Sequence, residues 1–180
     1  SDDKEPWNIK NIRFLLDGYR NRKSSILLPY IEEIVIGLVK RMETDKKLFK
    51  NKGIVLCIIS NSFISEKVIS EPSMLAFWKK LARLKKCNYY HHFFSVANDN
   101  LLKCSEEVRE SYFEFMFDVV LKKSGCLNVI NGEDINNILP FFGDDKVLER
   151  FKKIKKKTIQ RDKEKAGPFS GWWSVPINLD

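Results

Sequence analysis

The residues best suited to chemistry lie late in the chain, between Val147 and Arg161. Val147, Phe151, Ile154 and Thr158 recur at helical spacing, and Leu148 and Ile159 widen that apolar stripe. Arg150, Lys152, Lys153, Lys156, Lys157 and Arg161 spread over the opposite half, with no acid between Arg150 and Arg161. Like charges four residues apart, such as Lys153 and Lys157, cost a helix roughly 0.2–0.5 kcal/mol per pair. Keeping several points to a use for the charge or to ample stabilisation by the stripe. Such a face can neutralise phosphates, in which case affinity falls steeply with salt. Lys79, Arg83 and Lys86 form a second basic face and complete the candidate set for an anionic partner. The plainer reading is a solvated helix face, or an import signal in the run KKIKKK.

Two tryptophans follow. Trp172 and Trp173 could stack on bases or anchor a protein partner. Burying one aromatic side chain is worth roughly 1.5–3 kcal/mol, which favours a tail that packs back onto the domain.

Other constellations are weaker. Cys87 and His91 stand four apart and could share a helix face, but structural zinc needs four convergent ligands and only one close pair exists. No metal and no cofactor is expected. Glu110, Glu114 and Asp118 would align carboxylates on one helix face; an i,i+4 pair of Asp118 with Lys122 makes a solvated strip the simpler reading. The chain has no Gly-rich phosphate loop, GxSxG, HExxH or EF-hand loop. A non-enzymatic role is therefore expected.

The elements that must position these residues read as helices. Pro6, Trp7, Ile9, Ile12, Leu15, Leu16 and Tyr19 outline a first amphipathic helix, and Pro29 opens a second with Ile31, Ile34, Val35, Leu38, Val39 and Met42 inward. The apolar run Gly53–Ile64 fits a buried strand or a buried helix. Helical neighbours and the lack of a good partner strand predict a central helix. Pro72 starts another, with Met74, Phe77, Trp78, Leu81 and Leu84 on one stripe. The aromatic block Asn88–Ala97 continues it, straight or after a kink, until Asn98-Asp99-Asn100. Ser105 is an N-cap, with Glu106 and Glu107 in the first turn and Gly125 as the stop. That helix, apolar nearly all round, is expected to be the central core helix. A short helix over Glu133–Leu139 and a long one from Asp144 or Asp145 to about Lys165 complete the series.

Composition agrees. With 180 residues, 13 Phe, 5 Tyr, 4 Trp and 43% hydrophobic residues, the chain can fill a core, which excludes disordered, collagenous and disulfide-scaffold classes. The apolar runs are about half of what spans a bilayer, so no transmembrane helix is expected. Thirty-two Lys and Arg against 24 Asp and Glu give +8, a balance that favours nucleic acid, acidic protein surfaces or anionic lipid. The four cysteines lack paired short spacing and read as reduced thiols. The start, Ser-Asp-Asp-Lys-Glu-Pro, carries neither Met nor an apolar signal region, as in an excised domain, and a cytoplasmic or nuclear location is expected.

The expected fold is all-α: a compact bundle or short HEAT/armadillo-like solenoid of about six to eight helices. Residues 1–166 would form one domain and 167–180 an irregular tail. In general architecture this layout is similar to helical-repeat adaptor domains, a likeness that transfers no site residues. The expected function is protein–protein interaction through a groove or basic face. The alternative is an RNA- or DNA-binding domain using the basic C-terminal helix.

Overall fold

The computed structural model describes residues 8–84 and 89–117, together with 137, 140–143, 145–147, 149, 150, 152 and 153. These are helices and connecting turns, with no strand among the described residues. The fold is all-α. Contacts divide the chain into two units, Ser1–Trp78 and Lys79–Asp180.

In the first unit, helix α1 (Ile9–Arg22) begins where the extended Asn8 accepts the Lys10 N–H at 3.0 Å. It ends at Lys23, whose left-handed backbone (φ 43°) lets its N–H reach the Tyr19 carbonyl at 2.7 Å. Helix α2 (Leu28–Thr44) carries Pro29 in its first turn, where a missing N–H costs nothing. Its buried residues are Ile31, Val35, Leu38, Val39 and Met42, the face that the 3.6-residue period predicts. Asp45 ends α2 and opens α3 (Lys46–Lys50), accepting the N–H groups of Lys47 and Leu48 at 2.9 and 3.1 Å.

The ambiguous apolar run is helical as far as Asn61, with residues 62–64 in the turn that follows. Helix α4 (Lys52–Asn61) is opened by Asn51, whose Oδ1 accepts the Ile54 N–H at 3.2 Å. At its end the Asn61 amide donates to the Cys57 carbonyl at 2.8 Å, and the Ser62 hydroxyl donates to the Ile59 carbonyl at 2.7 Å. Capping at both ends satisfies polar groups that a buried segment could not leave bare. Ile54, Val55, Cys57, Ile58 and Ile59 are all buried, because α4 packs on α1, α2 and α3 together. Ser65 caps the short α5 (Glu66–Ile69). Ion pairs Lys40–Glu71 (3.2 Å) and Lys67–Glu32 (3.8 Å) tie α2 to this region.

Helix α6 (Pro72–Arg83) crosses the division between the units. Met74, Phe77, Trp78 and Leu81 are buried as expected, whereas Leu84 lies past the helix and is partly exposed. Phe49 and Phe77 meet edge-on at 6.1 Å, and Phe63 tilts against Trp78 at 6.5 Å.

In the second unit the aromatic block does not continue α6 as a helix of the same kind. Tyr89–His92 is a 3-10 turn, followed by α7 (Phe93–Val96). Three residues per turn eclipse positions i and i+3, and the Tyr89 and His92 rings accordingly stack at 24° and 6.3 Å. After a second 3-10 turn, Asp99–Lys103, Ser105 caps α8 (Glu106–Phe115) by accepting the Val108 N–H, with Glu106 and Glu107 in the first turn. Tyr112, Phe113, Phe115, Met116 and Phe117 are buried, as expected of a core helix. Phe93 stacks on Tyr112 and meets Phe115 edge-on, so α7 and α8 share an aromatic core. Residues 145–147, 149, 150, 152 and 153 are helical, in keeping with a late basic helix. Lys86, Cys87, Lys156, Lys157, Arg161, Trp172 and Trp173 lie outside the described residues, as do the expected Gly125 stop and the tail 167–180.

Candidate functional site

The late basic helix divides its charge between two uses. Arg150 Nη2 donates to Glu114 Oε2 at 2.9 Å, and Lys146 pairs with Glu110. Lys146 Nζ also sits 4.3 Å from the centre of the Phe113 ring, and the Arg150 guanidinium lies 5.8 Å from that of Phe117. Glu110 and Glu114 of the acidic row on α8 remain partly in water, as a solvated strip would, and each also pairs with a base of the late helix, while Asp118 lies outside the described residues. Glu110/Glu114 and Lys146/Arg150 are each four apart, so the two pairs stack as rungs along facing helices. That matched spacing was the available signal for the ladder. Lys152 and Lys153 are exposed and make no ion pair among the described residues. Lys79 and Arg83 on α6 are likewise exposed.

Among the described residues, burial favours the uncharged forms of Cys57, His92 and Tyr112. Cys57 is buried and donates its thiol to Asp17 Oδ1 at 3.5 Å; burial, then the Asp17 charge, pushes it up to about 11. It is a thiol at neutral pH, not a nucleophilic thiolate. Burial holds His92 below its ordinary value and raises Tyr112 above its own. No group of three His, Cys, Asp or Glu among the described residues could hold a metal ion. Cys104 is buried, and Cys87 lies outside the described residues.

One cleft of about 230 Å³ opens where Ile9 and Ile12 of α1 meet Leu38 and Arg41 of α2, beside Asp45 and Asn51. Of its polar side chains, Arg41, Asp45 and Asn51 already have partners. Asp45 and Asn51 cap helices, and Arg41 pairs with Asp45 at 3.6 Å. The cleft does fix the hairpin's direction: the start of α1 lies by the end of α2, so the two helices run antiparallel. At the other end burial, then the charge of Glu32, raises Tyr19, which agrees with that direction.

This hairpin carries the feature that sequence reasoning passed over. Phe14 is 79% exposed, Ile26 80% and Tyr30 66%, while Leu15 and Leu27 are about half exposed. Five of the eight large apolar side chains exposed among the described residues thus fall on α1, the turn after it and the first turn of α2. The helical period placed Leu15 with Ile12 and Leu16 on the inner face. In fact Ile12, Leu16 and Tyr19 fill that face, and Leu15 lies at its margin. A signal was present: Phe14 falls off the i, i+3, i+4 stripe, and Ile26-Leu27 sits in a turn, where apolar residues lack a local reason.

No described helix is long and apolar enough to cross a membrane. No protein-family model matches the chain, and comparison with curated proteins and with solved structures likewise finds no match.

Proposed function

We propose that the chain is a non-enzymatic helical interaction module that binds a protein partner. The observation that carries this reading is the cluster of Phe14, Leu15, Ile26, Leu27 and Tyr30 on one hairpin. Leaving a large apolar side chain wholly in water forfeits roughly 1.5–3 kcal/mol, so five on one hairpin, three of them mostly exposed, favour a covering surface.

Site-specific photo-crosslinking tests it. A photoreactive phenylalanine analogue placed at Phe14, in the protein added to extract of its source cells, is expected to yield a discrete protein adduct. The same probe at Lys52, exposed on α4, is expected to yield none. Equal labelling from both positions overturns the reading.

A second reading rests on Lys152 and Lys153, which are exposed and not ion-paired among the described residues. In it, RNA or DNA binds the late basic helix. Titration of labelled single- and double-stranded nucleic acid at about 50 and 200 mM salt tests this, because each neutralised phosphate steepens the salt dependence. Tight binding lost both with salt and with Lys153→Glu/Lys157→Glu would put this reading first. No binding at low salt removes it.

A further inference from the structure

We propose that the α1–α2 hairpin docks an acidic, amphipathic helix of a protein partner. The proposal rests on the protein-interaction reading above and names the partner's chemistry.

Charge is the first argument. Between Ile9 and Tyr30 the chain carries Lys10, Arg13, Arg20, Arg22 and Lys23 against a single acid, Asp17; beyond Tyr30, Glu32 pairs with Lys67, and Glu33 is exposed. Asp17 faces Arg13 at 3.9 Å and accepts the Cys57 thiol, so it offers little to the other bases. Lys10, Arg20, Arg22 and Lys23 are exposed and make no ion pair among the described residues. Bases of this density around Phe14, Leu15, Ile26, Leu27 and Tyr30 complement a surface that is apolar in the middle and acidic at its edges.

Shape is the second. Gly18 lies one turn after Phe14 on α1, and Gly37 lies at i+7 from Tyr30 on α2. A Cβ at either glycine would meet nothing within 4 Å, so neither is required by packing inside the protein. Gly18 therefore leaves a low stretch of α1 backbone one turn from Phe14, which allows another helix to approach closely, whereas Gly37 lies two turns from Tyr30, past the exposed Glu33, and adds nothing to it. A partner helix answers this with apolar anchors at i, i+3, i+4 and i+7 and acids on its flanks. A lipid surface uses exposed apolar and basic side chains but has no use for a low stretch of backbone.

The test uses a labelled peptide of about 20 residues, long enough to be helical, with Leu at i, i+3, i+4 and i+7 and Glu on the flanks. Its control has Lys in place of every Glu. The Glu peptide is expected to bind, about tenfold or more weaker at about 200 than at 50 mM salt. Phe14→Ser and Arg20→Glu/Arg22→Glu are each expected to weaken it about tenfold or more, with circular dichroism unchanged because these side chains lie in water. The Lys peptide is expected not to bind. Equal binding of both peptides, no binding of the Glu peptide, or indifference to Phe14→Ser overturns the proposal. So does Phe14-dependent binding to phosphatidylserine vesicles in place of the peptide, which assigns the surface to a membrane. Phe14-dependent self-association in sedimentation assigns it to a second copy of the chain. If a protein still crosslinks at position 14 while the Glu peptide fails, only the partner's chemistry is wrong. If neither occurs, both readings fall.

Discussion

Arg150 reaches across from the late basic helix to Glu114 on α8, 36 residues earlier, and donates to its carboxylate at 2.9 Å. Both side chains keep more than a third of their surface in water, so solvent screens the pair and its stabilisation is about 0–1 kcal/mol. Glu114→Gln is expected to lower stability by less than about 1 kcal/mol in urea titration. The electrostatic consequence is larger than the energetic one. Glu110→Gln with Glu114→Gln releases Lys146 and Arg150, and in the nucleic-acid reading this variant binds RNA or DNA more tightly. Unchanged or weaker nucleic-acid binding would show that the released bases do not contribute.

Cys57 is expected to be inert in the folded protein. Its thiol is buried and pushed up to about 11, first by burial and then by the neighbouring Asp17 carboxylate. At pH 8 the thiolate is scarce, so alkylation by iodoacetamide is expected only as fast as the protein opens. Asp17→Asn removes a charge that raises the pKa but leaves the burial, so native-state alkylation is expected to stay limited by opening. A native rate equal to that in denaturant would contradict the burial.

Helix α4 is expected to depend on its first cap. Asn51 Oδ1 accepts the Ile54 N–H, and α4 supplies the packing surface for α1, α2 and α3. Asn51→Ala is expected to cost about 1 kcal/mol, measured by chemical denaturation, and Asn51→Asp or Asn51→Ser to cost less. Equal losses in all three variants would place the effect outside the cap.

His92 makes stability depend on pH in a definite direction. Burial lowers its folded value below the ordinary 6.5, so the unfolded chain binds the proton more readily. Stability is unaffected by this group above about pH 6.5, falls as pH drops from there through the folded value, and then levels off. His92→Asn is expected to flatten that part of the stability curve between about pH 7 and 5. A curve of unchanged slope would show that other groups carry it.

Local features were legible in the chain because they are written in neighbouring residues. Pro29 and the stripe Ile31, Val35, Leu38, Val39 and Met42 specified α2 and its inner face, and Ser105 with Glu106 and Glu107 specified the start of α8. The run Gly53–Ile64 was harder, since an unbroken apolar segment satisfies either period; its helical neighbours decided it correctly. The aromatic block was legible as helix-like but not as a 3-10 turn. A tighter turn is selected by which rings stack, and that depends on the partners of Phe93 on α8.

Sequence alone determined an all-α chain, the inner faces of its regular helices apart from Leu15 and Leu84, and an excess of positive charge. The tertiary structure decided where that charge is spent and which apolar residues remain in water. Periodicity identifies a face, but covering it takes a second element distant in sequence. Lys146 and Arg150 turn to Glu110 and Glu114 only because two remote helices meet, and Phe14, Ile26 and Tyr30 stay exposed because no described element reaches them. Both outcomes are set by long-range packing, which residue spacing along one helix does not encode.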